Sequence, residues 1–203
     1  RQRQMCIRDR YKPGELLLKE GDACHELVFI LKGEIASSTS SADSSYCFTE
    51  YFPAPFLIEA HSIFGMKTHY ASTYRARTEV HTVSISKAFV VKELFNYEIF
   101  RLNYMNIISS RTQMLHNRLW AVCGDNLEAR IAYFILSHAE RLSGEKALKI
   151  KMEDLAQIVN DTRAGVSKTL NNMQAKGLVE LHRGEIVIPD AKKLSENLYQ
   201  LSL

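Results

Sequence analysis

Apolar residues follow two different rhythms along this chain. From residue 11 to about 87 they come in short runs separated by turn signals. Pro13-Gly14 is a turn, Glu15 to Leu18 starts a strand, Gly21-Asp22 turns again, Leu27 to Leu31 reads as a buried strand, and Gly33 ends it. Strand patterns resume at Tyr46 to Phe52, Thr73 to Thr78 and Val80 to Ser84. Short strands between closely spaced turns predict a small β barrel or roll rather than a βαβ sheet. The serine-rich stretch from Ser37 to Ser45 is read as a solvated hairpin tip. Residues 1–10, RQRQMCIRDR, show no apolar periodicity and are set aside as a leader.

From Lys87 the rhythm changes. Lys87 to Cys123 holds no Gly and no Pro, which predicts one long helix ended by Gly124-Asp125. Ile108, Leu115 and Val122 recur every seven residues, with Tyr104 four before Ile108. Arg111 and Arg118 take the intervening positions, so the heptad is weak. It proposes a dimerisation helix, and its alternative is an amphipathic helix packed on its own β domain. Beyond it, Leu127, Ile131, Phe134 and Ile135 have helical spacing up to Ser143-Gly144. Met152 to Val159 predicts a short helix with Glu153-Asp154 in its first turn. Asn160-Asp161-Thr162 is a polar break with N-cap chemistry, and Arg163 to Lys176 is a second helix ended by Gly177. Leu178 to Leu181, the turn His182-Arg183-Gly184 and Ile186 to Ile188 form a hairpin.

Composition narrows the classes. A chain of 203 residues, 46% hydrophobic and 24% charged, suits one or two globular domains. The longest apolar runs fall far short of the roughly 20 residues of a membrane span. Cys6, Cys24, Cys47 and Cys123 are too scattered for a disulfide framework or an iron–sulfur or zinc set, so a reducing cytoplasm is expected, with no cofactor and no metal. His25, His61, His69 and His81 are spaced too loosely to read as metal ligands. No nucleophile elbow, Walker loop, paired-histidine zinc helix or dinucleotide glycine run is present, so no catalytic residues are assigned and an enzyme is not expected. The net charge of +3 is too small to argue for nucleic acid unless it is concentrated locally.

The second half carries a modest local excess that is well placed. A helix, a tight turn, a second helix and a hairpin make a winged helix-turn-helix, in which the second helix presents its N-terminal side chains to a major groove. Arg163, Ser167 and Lys168 fall opposite Val166, Leu170 and Met173. Over residues 160–183 four basic side chains stand against two acidic ones. Arg163 or Lys168 would donate to guanine, while Lys176 and Arg183 would touch phosphate. Thr162 and Asn171 complete the DNA-facing set. The alternative is a ligand-binding or protein-interaction module of the same fold that has lost specific DNA binding.

The ordered motifs make a resemblance specific. Asp154-Leu155-Ala156, Thr162-Arg163, Val166-Ser167-Lys168-Thr169-Leu170 and Lys176-Gly177-Leu178-Val179, followed by Ile186-Val187-Ile188-Pro189-Asp190, resemble the DNA-binding domain of the cyclic AMP receptor protein/fumarate-nitrate regulator (CRP/FNR) family. Tyr11-Lys12-Pro13-Gly14-Glu15, Glu20-Gly21-Asp22 and Phe29-Ile30-Leu31-Lys32-Gly33-Glu34 resemble its β-roll. The resemblance implies an α+β chain in three parts. These are a cyclic-nucleotide-binding-like β-roll over 11–87, a connecting and dimerisation helix over 88–124, and a winged helix-turn-helix over 125–203. It implies a homodimer on a near-palindromic double-stranded DNA site, with RNA polymerase as a further partner and no membrane.

Departures from the family pattern qualify the function. Relatives often carry a glutamate directly after the recognition-helix arginine or one position later. Here Ala164 and Gly165 stand there, and Lys168 replaces a frequent arginine, so an altered or relaxed base preference is expected. In cyclic AMP-binding relatives a Gly-Glu … Arg-Ser cassette holds the ligand. The matching effector-pocket positions here are Ile58-Glu59 and Tyr70-Ala71, of which only Glu59 keeps its type. Without the arginine a cyclic phosphate would be uncompensated. The expected effector is something other than cyclic AMP, or none.

Overall fold

The computed structural model describes residues 6–119 and 126–201. They divide into two compact units, 6–37 with 52–119 and 38–51 with 126–201.

The first unit is the expected roll. One sheet has the antiparallel order β1 (Cys6–Tyr11), β8 (Val80–Ser86), β3 (Glu26–Lys32), β6 (Phe56–Ile58). The other brings together β2 (Leu16–Leu18), β7 (Thr73–Ala76) and β4 (Glu34–Ser40). Alternation explains β8, in which Val80, Thr82 and Ser84 point inward and the residues between them do not. Leu27, Ile30, Ile35, Phe52, Ile58, Ile63 and Tyr74 fill the core. Between β3 and β4 the backbone at Gly33 has φ +91°, and a Cβ there would lie 2.2 Å from the Glu79 carbonyl oxygen. Only glycine fits this turn.

Two expectations change in this unit. The set-aside leader contributes a strand, since Cys6 to Tyr11 pair with Ile85 to Val80, while residues 1–5 lie outside the described ones. Its periodicity was hidden because β1 is an edge strand, with Arg8 and Arg10 exposed and Ile7 47% exposed. The long helix is also interrupted. α1 (Lys87–Lys92) ends in a 3-10 turn at Leu94–Asn96, and α2 (Glu98–Leu119) begins after it. Leu94 and Phe95 pack against the roll core, and Phe95 lies 5.5 Å from Phe64, 5.9 Å from Phe100 and 5.8 Å from Tyr104, centroid to centroid. The carbonyls released by the break are met by Asn96 Nδ2 on Lys92 (2.8 Å) and Arg101 on Phe95 (2.8 Å). Gly124-Asp125 lies outside the described residues.

The second unit packs α3 (Leu127–His138), α4 (Met152–Ile158), α5 (Arg163–Ala175) and α6 (Ala191–Leu201) with strands in the order β10 (Glu180–His182), β11 (Glu185–Ile188), β9 (Lys146–Ile150), β5 (Tyr46–Pro53). β9 and α6 were not read from the sequence, nor was the role of β5. Tyr46 to Glu50 pair with Ile150 to Lys146, and Phe48 is buried among Ile131, Ile135, Leu148 and Leu155. The serine-rich stretch is correspondingly shorter as a tip. β4 runs through Ser40, and the turn is Ser41 to Ser45.

Candidate functional site

The recognition element is α5. Thr162 caps it, with the side-chain oxygen accepting from the Gly165 amide at 3.0 Å. Val166, Leu170 and Met173 are buried, so helical geometry turns Arg163, Ala164, Ser167, Lys168 and Asn171 outward as one exposed ridge. Arg163 contacts Glu153 at 3.2 Å across the turn, both side chains more than half exposed. An ion pair so exposed is weak and leaves the guanidinium available to a ligand. Arg183 sits in the two-residue turn between β10 and β11, exposed. Lys176 differs from the others. Its ammonium is 2.8 Å from both oxygens of Glu128, which also accepts from Asn197, so this lysine is tied within the unit.

Gly165 has a steric cause. A Cβ there would lie 2.5 Å from Asp161 Oδ1 and 3.1 Å from Thr162 Oγ1. Asp161 is held on both sides, by the Thr162 amide (2.7 Å) and by Arg130 (2.9 Å). The glycine therefore makes room for the turn that presents α5.

In the roll, the four positions expected to line an effector pocket lie together around the Glu59 carboxylate. Ile58, Glu59 and Tyr70 are buried, and Ala71 is exposed. The Glu59 carboxylate accepts from the amides of Ala71 (2.9 Å) and Ser72 (2.9 Å), from the Tyr74 hydroxyl (3.0 Å) and from Ser62 (2.6 Å). Burial pushes the Tyr70 phenol above its ordinary range, with the Cys24 thiol adding to the shift, and burial likewise raises that thiol. Arg75 and Arg77 lie outside this cluster. Arg75 reaches the Gly14 carbonyl at 3.5 Å, and Arg77 contacts Glu34 at 3.2 Å.

None of the described side chains of α2 is buried. Tyr104 faces its own roll, where its hydroxyl donates to the Ala60 carbonyl, and burial pushes its pKa up to about 12. Ile108 is half-buried, whereas Leu115 is 46% exposed, as are Ile99, Leu102, Met105 and Leu119 to similar or greater degrees. Val122 lies outside the described residues. No group of three metal-ligating side chains gathers among the described residues, and none of their helices is long and apolar enough to cross a membrane.

Two family models match the two halves in the order the geometry gives. A cyclic nucleotide-binding domain matches residues 8–97, and a Crp-like helix-turn-helix domain matches residues 129–196. The chain belongs to the CRP/FNR family of transcription regulators. Among CRP/FNR proteins, the CRP-like cAMP-activated global transcriptional regulator of Mycobacterium tuberculosis is 22% identical over 190 residues, covering 90% of this chain and 84% of that protein. The catabolite activator protein of Thermus thermophilus shares the fold with a TM-score of 0.53 at 16% identity, over 97% of this chain and 91% of that one. The c-di-GMP-responsive global regulator CLP of Xanthomonas campestris does so with a TM-score of 0.52 at 18% identity, over 92% and 95%. As a CRP/FNR protein the chain is a DNA-binding transcription regulator, and its family is not one of enzymes.

Proposed function

We propose that this regulator works as a homodimer on a near-palindromic DNA site, with an effector other than cyclic AMP or with none. The observation that carries the reading is the exposed ridge of Arg163, Ser167, Lys168 and Asn171 on a capped helix, beside a wing turn bearing Arg183. Arginine and lysine there match guanine O6/N7, and the serine and asparagine serve either bases or phosphates. α2 supports the dimer. Its 22 residues span about 33 Å and expose Ile99, Leu102, Met105, Leu115 and Leu119, an apolar set that a second copy would cover. Two reading heads would then meet successive major grooves about 34 Å apart. RNA polymerase is the further partner such a regulator would engage.

The case against cyclic AMP starts from Tyr70 and Ala71, which stand where an arginine would meet the phosphate, and the bonds of Glu59 add to it. The Ala71 and Ser72 amides that a cyclic phosphate would need already donate to a carboxylate. An incoming phosphate would meet that negative charge with no arginine beside it, because Arg75 faces outward on β7 between the buried Tyr74 and Ala76, and Arg77 lies beyond the strand against Glu34. The test is selection of bound sequences from a random double-stranded DNA pool with the full chain and no added ligand. A two-fold symmetric motif is expected, and the R163A/K168A variant should bind it about 10- to 100-fold more weakly. Recovery of no motif, with or without added cell metabolites, would overturn the reading.

A further inference from the structure

The second unit holds a cleft that neither the recognition helix nor the wing accounts for. It has a volume of about 250 Å3, and it is lined by Ser40, Ser44 and Ser45 from the β4–β5 tip, by Lys149 and Lys151 from the end of β9, and by Gly184 of the wing turn, among others. Two lysines, three serines and a tyrosine line it, and no carboxylate does. Ser40, Ser44 and Lys151 have no side-chain hydrogen bond or ion pair among the described residues. Lys149 is 69% exposed, and its contact with Glu185 is long, 4.0 Å. Asp43, the nearby acid of the tip, is turned onto the hairpin itself, where it accepts from the hydroxyls of Ser41 (2.7 Å) and Ser45 (2.8 Å).

The cleft adjoins the DNA-reading elements through the chain and the sheet. Lys151 directly precedes α4, the first helix of the helix-turn-helix. The Ile150 amide donates to the Gly184 carbonyl at 3.2 Å, and Lys149 pairs with Glu185 across the sheet, so the Arg183-Gly184 turn borders the site. We propose that this cleft, formed by the serine tip and the Lys149–Lys151 edge, binds backbone phosphates of DNA beyond the wing and extends the protein's footprint on the duplex. Lysines and serine hydroxyls are common donors to phosphate oxygens, and such contacts add affinity without reading sequence. In this arrangement a hairpin from the N-terminal half of the chain contributes directly to DNA binding. The proposal rests on the DNA-binding reading above.

The test measures binding of the full chain to a random-sequence duplex and to any selected site as salt is varied. Each phosphate contact contributes about 0.9 to the slope of log affinity against log salt. K149A/K151A should lower that slope by about 1 to 2 and leave the base preference unchanged. K192A/K193A removes the same charge from the exposed face of α6 and should leave the slope as it is. Wild-type binding with an unchanged slope in K149A/K151A overturns the cleft alone, as does an equal fall in both variants. Wild-type protein that binds neither duplex overturns the DNA reading and the cleft with it. Both lysines are exposed, so an unchanged melting curve will show that the variant remains folded.

Discussion

The two units each bury a glutamate, and they stabilise it in opposite ways. In the roll, Glu59 is 6% exposed and is held only by neutral donors, two amides, a phenol and a serine hydroxyl. In the second unit, Glu50 is also 6% exposed, but it meets the Lys146 ammonium at 3.1 Å as well as the amides of Glu140 (2.6 Å) and Arg141 (3.2 Å). The difference follows from what each site does. Glu59 directly follows β6, and its dipolar cage ties that end to the start of β7 with the chain's own donors. Glu50 lies on a strand borrowed from the hairpin, and a buried ion pair fixes which residues of β5 and β9 face each other, because any slip strands a charge.

The largest effect should come from breaking the ion pair. Lys146→Ala leaves Glu50 buried without its cation, and a loss of about 3–5 kcal/mol is expected in urea unfolding. A loss under about 1 kcal/mol would mean that the two amides suffice and that the two glutamates are alike. Glu59→Ala comes next, with four donors left unmet and an expected loss of about 2 kcal/mol, while Glu59→Gln should lose about half as much because it keeps an acceptor. If Glu59→Gln is as harmful as Glu59→Ala, the charge matters more than the hydrogen-bond geometry.

Asp161 extends the contrast, because a cation pins it. Helix propensity alone predicts that Gly165→Ala stabilises α5 by up to about 1 kcal/mol. With Asp161 held by Arg130, the same change should instead destabilise by about 1 kcal/mol, and the penalty should shrink in an Arg130→Ala background. A stabilised variant would show that the carboxylate yields easily.

The smallest effect concerns Asp43, held like Glu59 by neutral donors but in full exposure. The Ser41 hydroxyl, then the Ser45 hydroxyl and amide, lower its pKa from 3.8 to about 2. A depressed acid stabilises the fold above its ordinary pKa, and that contribution fades as pH falls through about 2. NMR titration should find the midpoint near 2 in the wild-type chain and back in the ordinary range in S41A/S45A. An unmoved midpoint would remove the serines as its cause.

Periodicity alone carried much of this protein. The alternation in β8, the face made by Val166, Leu170 and Met173, the polar break before Arg163 and the wing turn are all local signals, and each element formed within a few residues of its expected place. The outward ridge of α5 followed from the same spacing, because a helix that buries one face must expose the other. Tertiary structure decided what depends on distant partners. β9 takes its place from β5, about a hundred residues away, and the second unit's core therefore includes Phe48. The helix after β8 breaks because aromatic packing on the roll outweighs the continuity of a Gly- and Pro-free segment. Glu59 was visible as a surviving carboxylate, but its hydrogen bonds to Ala71 and Ser72 were not. A side chain's type is written in the sequence. Which distant amides it meets is set only once the chain has closed on itself.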